Sequence, residues 1–92
     1  MLGRVRMYAT DWCPFCRRAR VLLRAKGVDE IEEIPVEFDA RGRADLLART
    51  GGRTVPQIYI GDWHIGGYDE LYALDRAGEL DRLLAATTRS VE

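Results

Sequence analysis

Between residues 5 and 10 (Val-Arg-Met-Tyr-Ala-Thr), apolar and polar positions alternate loosely among good strand formers, which predicts a first strand, central in its sheet. From Pro14 the period lengthens. Phe15, Ala19, Leu22, Leu23 and the stem of Lys26 recur at helical spacing up to Gly27, a natural C-terminal stop. Residues 31–36 return to a strand pattern, and strand, helix, strand within about 30 residues implies a right-handed parallel crossover. Asp39 suits a helix cap, and residues 40–50 then put Ala44, Leu47 and Ala48 on one stripe before Gly51-Gly52 ends it. Gln57-Ile58-Tyr59-Ile60 and Trp63-His64-Ile65 flank Gly61-Asp62, a two-residue turn with glycine first, so a hairpin follows. A third helix is predicted over residues 68–77, with Leu71, Leu74 and Ala77 inward, and Gly78 separates it from a short last helix over residues 80–86. Residues 87–92 read as a frayed polar tail.

With no repeat, linker or low-complexity stretch, these elements belong to one α/β domain spanning residues 1–92, a four-stranded mixed sheet in the order β-α-β-α-β-β-α with a short C-terminal helix. The 92 residues, 47% hydrophobic and 32% charged, suit one modest core. A formal net charge of −1 gives no electrostatic case for nucleic acid or membrane partners. No apolar run approaches the ~18 residues of a membrane span, and Met1-Leu2-Gly3-Arg4 does not open a signal peptide, so the cytoplasm is the expected compartment.

Composition changes this picture at one place, Trp12-Cys13-Pro14-Phe15-Cys16, which holds both cysteines between the first strand and the first helix. Thiols at i and i+3 on a first helical turn face the same way and can close a small disulfide. The helix start, with its unpaired N–H groups and positive dipole end, favours negative charge on the first sulfur, while Pro14 fits a position that needs no N–H donor. Cys13 is therefore the candidate nucleophile and Cys16 its resolving partner. A closed zinc site needs four ligands, and two cysteines with the single His64 do not supply them. A structural staple over so short a loop constrains little of the unfolded chain. In the cytoplasm a paired-cysteine motif is more often catalytic or metal-binding than structural. Arg17, Arg18, Arg20 and Arg24 line the other face of this helix, either as a solvated face or, for Arg17 and Arg18, as a cationic collar near the thiols. Trp12 borders the site or packs on its own domain, and Trp63 and His64 read as strand residues without a catalytic role.

Cys13-Pro14-Phe15-Cys16, then Thr54-Val55-Pro56, then Gly66-Gly67-Tyr68-Asp69, in that order, resemble the glutaredoxins, most closely the small bacterial dithiol members, with Phe15 where tyrosine is usual. The resemblance runs from about Val5 to Leu84. It implies the thioredoxin fold, glutathione as co-substrate without a metal, and a cis peptide bond before Pro56 that frees the Val55 backbone to pair with the cysteinyl part of glutathione. It further implies that the γ-glutamyl carboxylate lies on the helix start at Gly67, Tyr68 and Asp69, with Asp69 facing the glutamyl ammonium. The resemblance also places Phe15 and Thr54 among the glutathione-binding residues. Arg43 and Arg53 match positions that serve the glycyl carboxylate, Arg53 the better of the two, though each is otherwise an ordinary surface arginine. One departure is Thr10, where many members carry lysine; Arg17 or Arg53 is then the candidate to take over that cation's work.

The activity so implied is reduction of protein–glutathione mixed disulfides and of protein disulfides by a monomer, with glutathione reductase acting indirectly. Two rivals stand beside it. One is a carrier of a [2Fe–2S] cluster ligated by Cys13 and glutathione, which Pro14 disfavours; the other is a thioredoxin-like reductase fed by a flavoprotein, in which the Gly67-Tyr68-Asp69 anion site has no purpose.

Overall fold

In the computed structural model, which describes residues 4–89, strands and helices follow in the predicted order: β1 (Val5–Ala9), α1 (Pro14–Ala25), β2 (Ile31–Pro35), α2 (Ala40–Thr50), β3 (Gln57–Ile60), β4 (Trp63–Gly66), α3 (Tyr68–Arg76) and α4 (Leu80–Arg89). The sheet runs β2-β1-β3-β4. β1 pairs parallel with β2 and antiparallel with β3, and β3 pairs antiparallel with β4. β1 is thus interior, as its apolar content predicts.

The antiparallel pairing of β1 with β3 matters most for function. Tyr8 near the end of β1 is opposite Gln57 at the start of β3. The loop leaving β1, which carries the cysteines, therefore meets the loop entering β3, which carries Thr54-Val55-Pro56.

Pleating sorts the side chains. Val5, Met7 and Ala9 of β1 and Ile58 and Ile60 of β3 form one face of the sheet, buried with Cys16, Ala19 and Leu23 of α1, Leu71 of α3 and Leu80 and Leu84 of α4. Tyr59 lies on the other face, where its hydroxyl donates to the Arg49 carbonyl of α2 at 3.5 Å. The sheet is sandwiched between helices, and α1 and α3 lie together on the main core. Lys26 ties this layer by ion pairs to Asp75 (2.6 Å) and Asp81 (3.5 Å).

Three predicted stripes need correction. On α2 the buried residues are Leu46 and Thr50, while Ala44, Leu47 and Ala48 are exposed. Alanine weighs little as an apolar anchor, so Leu46 sets the inward face. Thr50 can accompany it because its hydroxyl donates to the Leu46 carbonyl at 2.8 Å. On α1, Phe15 is exposed, and Cys16 takes the inward place beside Ala19 and Leu23. On α3, Leu71 is buried and Leu74 packs against the core, but Ala77 is exposed at the C-cap. The last helix also continues to Arg89, past the predicted start of the tail; residues 90–92 of that tail, and residues 1–3, lie outside the described residues.

Candidate active site

Cys13 is the N-cap of α1, extended at φ −76° and ψ 119°, with Pro14 in the first helical turn. That backbone turns its sulfur back over the helix start, where the Cys16 N–H donates to Cys13 Sγ at 3.4 Å. A donor at this place stabilises charge on sulfur just where the helix dipole also does. The Cys13 thiol in turn donates to the Val55 carbonyl at 3.7 Å. The Val55–Pro56 bond is cis, as the resemblance implies.

Both cysteines are free thiols, but their settings differ. Cys13 keeps 6% of its surface, whereas Cys16 has none. Burial pushes the Cys16 thiol up to about 11; a backbone hydrogen bond from Thr10 and the charge of Arg20 work against this, and the neighbouring Cys13 adds to it. Arg20 itself is clamped by Glu33, Nε to Oε2 at 2.6 Å and Nη2 to Oε1 at 2.7 Å, a bidentate pair from α1 to β2 that holds the Glu33 carboxyl below the usual carboxylate range. Its Nη2 also reaches the Thr10 carbonyl at 3.5 Å. The guanidinium that comes to Thr10 is therefore that of Arg20, not of Arg17 or Arg53. Thr10 is 8% exposed, and its Oγ1 has no partner among the described residues.

Aromatic rings flank the sulfur. Trp12 is 65% exposed and rests on Phe38 (centroids 5.4 Å apart), with Arg43 over Phe38 at 6.0 Å. Phe15 meets Tyr68 at 6.3 Å, under Arg18 at 5.3 Å. Arg43 also donates to the Phe38 carbonyl at 3.4 Å. Arg53 and Thr54 are exposed in the loop before β3. Gly67 is the N-cap of α3, with Tyr68 and Asp69 in the first turn; Tyr68 packs against the core and Asp69 is exposed. The structure thus joins Cys13, Cys16 and Val55 directly and Phe15 to Tyr68. Arg43 belongs to the Trp12 side, and no close contact links Arg53 to the sulfur.

Three residues emerge that the sequence analysis gave no role. Glu70 accepts from the Gly67 N–H at 2.7 Å, the reciprocal half of a capping box, legible in Gly-x-x-Glu had glycine been read as an N-cap. Gln57 donates to the Thr54 carbonyl at 2.9 Å, and His64 Nε2 lies 2.7 Å from Gln57 Oε1. Among the described residues no group of three or more His, Cys, Asp or Glu side chains is arranged to hold a metal ion, and no helix is long and apolar enough to cross a membrane.

A helix start that presents one sulfur to a cis-proline loop and seals a second beneath it places the chain among thioredoxin-fold thiol–disulfide oxidoreductases. Comparison with known proteins narrows the class. Residues 5–65 match the glutaredoxin family model. A curated glutaredoxin of Pseudomonas aeruginosa is 52% identical over 80 residues, 87% of this chain and 94% of the relative. Among solved structures, the glutaredoxin of Brucella melitensis superimposes with a TM-score of 0.76 at 44% identity, covering 95% of this chain and 92% of that one. A buckwheat glutaredoxin–glutathione complex also gives 0.76, at 32% identity and over 89% and 76% of the two chains. The chain belongs to the glutaredoxin family.

Proposed function

We propose that this protein is a glutathione-dependent reductase of protein–glutathione mixed disulfides, and secondarily of protein disulfides, with Cys13 as nucleophile. The observation that carries the proposal is the placement of Cys13 Sγ between the Cys16 N–H and the Val55 carbonyl, a sulfur supported from the helix side and bordered on the other by the backbone that precedes Pro56. The Cys13 thiolate attacks the glutathionyl sulfur of the substrate; a Cys13–glutathione bond forms, the protein–glutathione bond breaks, and the protein leaves as thiolate to be protonated. A second glutathione thiolate then attacks the glutathionyl sulfur on Cys13, giving oxidised glutathione and restoring Cys13. Glutathione reductase, outside this chain, returns the oxidised product to the pool.

Binding follows from the same geometry. The Val55 backbone beside Pro56 offers the edge on which an extended tripeptide pairs, and Thr54 and Phe15 border it. The Gly67 N–H is held by Glu70, so the N–H groups of Tyr68 and Asp69 at the start of α3 take the glutamyl carboxylate, and the Asp69 side chain takes the ammonium. Arg53 or Arg43 meets the glycyl carboxylate. The support for glutathione as the ligand is this fit together with the buckwheat relative, whose solved complex holds it.

Cys16 enters only on the dithiol route. Burial chiefly keeps Cys16 protonated, and the hydrogen bond and charge of Cys13 add to it; once Cys13 is tied in a mixed disulfide these two lesser influences lapse, which favours ionisation of Cys16. Residues 1–92 act in this reading as a single monomeric domain of the cytoplasm.

The test is turnover of a glutathionylated peptide coupled through glutathione, glutathione reductase and NADPH. Wild type is expected to turn over, Cys16→Ser to retain most of that rate, and Cys13→Ser to fall to background. Equal loss in both single variants, or no turnover with glutathione as sole reductant, removes the proposal.

A further inference from the structure

The loop that faces Cys13 is held from behind by a hydrogen-bonded chain. Its atoms can be assigned without ambiguity. The Thr54 carbonyl can only accept, so the Gln57 atom 2.9 Å from it is the amide nitrogen, and the oxygen Oε1 points the other way, toward β4. That oxygen can also only accept. The ring nitrogen 2.7 Å from it, His64 Nε2, must therefore carry a hydrogen and donate it to Gln57.

The sequence places these groups together by two devices. The two-residue turn pairs Tyr59 with His64, and Gln57, two residues earlier on the strand, reaches the His64 ring across the register shift between Ile58 and Tyr59. Tyr59 stacks on the imidazole at 4.7 Å and 18°, fixing the plane in which Nε2 points. Gln57 is 5% exposed, so its amide cannot trade these partners for water without cost. Gly52 completes the arrangement: a Cβ there would run into the Gln57 amide, 2.6 Å from its Cδ, so the glycine leaves the amide its place. The Gly52 N–H is itself anchored on Thr50 Oγ1 at 3.0 Å.

We infer that His64 is a positioning residue: through Gln57 it fixes the Thr54 carbonyl and so the backbone edge of Thr54-Val55-Pro56 that receives the Cys13 thiol and, on the function proposed above, glutathione. His64 touches neither substrate nor sulfur. It acts by removing freedom from the edge on which a peptide must pair, so its loss weakens binding of the tripeptide rather than the exchange step at sulfur.

The experiment compares wild type with His64→Ala, His64→Gln and Gly52→Ala in the glutathione-coupled assay, alongside the 13C shift of the Thr54 carbonyl in ligand-free protein. His64→Ala is expected to raise the KM for glutathione about three- to tenfold, the range that one neutral hydrogen bond carries, with kcat little changed. His64→Gln, which again presents an N–H, recovers most of the loss, and Gly52→Ala reproduces it from the opposite side of Gln57. The Thr54 carbonyl shift moves in His64→Ala and Gly52→Ala and returns in His64→Gln. A wild-type KM and an unmoved Thr54 shift in His64→Ala overturn the inference, and so does a fall in kcat that His64→Gln does not recover and that tracks thermal stability. If wild type shows no glutathione turnover, the proposed function fails, but the Thr54 shift still decides the positioning role.

Discussion

Two cysteines three residues apart have unlike environments, and the difference comes from helix phase. Cys13 precedes the first turn and keeps 6% of its surface, whereas Cys16, like Ala19 and Leu23, turns inward and keeps none. The sequence names both thiols, but not which is the more deeply buried, because a 3.6-residue period read from Phe15 makes the aromatic ring the inward member. The thiol took that place, and the ring was left to border the site with Tyr68. Burial moves Cys16 from its ordinary value near 9 to about 11, so the fold keeps the neutral thiol while the unfolded chain ionises near 9. The resulting stabilisation is fully present below pH 9 and is lost as pH rises through 11. A two-unit shift corresponds to something on the order of 2–3 kcal/mol. Urea unfolding under reducing conditions at pH 8 and pH 11 is therefore expected to show wild type losing about that much more stability than Cys16→Ala over the same interval; parallel losses in the two proteins contradict the burial argument. Thr10 was legible as a departure from the related proteins' lysine, but its consequence was not. The cation that reaches it comes from one helical turn beyond Cys16, as Arg20, and is already committed to Glu33.

The elements themselves were largely readable, because strand alternation, helix stripes and glycine stops agree along most of the chain. β1, α1, β3 and the hairpin turn follow the apolar pattern within a residue or so. The reading failed on α2, whose limits Ala40–Thr50 were correct but whose buried face was not. Its small apolar residues give no strong phase, and the decisive contacts, Leu46 inward and the Thr50 hydroxyl returned to the Leu46 carbonyl, depend on packing that no periodicity reports. The start of α2 offers a test in which two known effects oppose. Alanine is favoured over glycine within a helix by about 1 kcal/mol. At Gly42, however, a Cβ would collide with the Glu37 carbonyl, its carbon 2.8 Å away, and backbone cannot step aside as a side-chain tip does. Overpacking of that kind costs about 1–3 kcal/mol. Gly42→Ala is accordingly expected to lower the thermal midpoint by several degrees; a rise would mean that the loop yields and propensity wins.

At the scale of the whole molecule, function rests on one topological fact: β1 and β3 are antiparallel neighbours, so the end of one and the beginning of the other deliver Cys13 and the cis-proline loop to the same spot. The three separated motifs make sense only in that arrangement. Their order was visible in the sequence, and so was the family; the supporting chain from His64 through Gln57 was not, since its members stand seven residues apart on paired strands and look like ordinary strand and turn residues. The central claim is that the glutathionyl group, not the protein, is transferred to Cys13. Intact-mass and peptide-mapping analysis of Cys16→Ser, mixed with a glutathionylated peptide in the absence of free glutathione, tests it most directly. The account predicts one glutathionyl group on Cys13 and release of the free peptide thiol. A peptide–Cys13 adduct with free glutathione released, or no adduct at all, contradicts it.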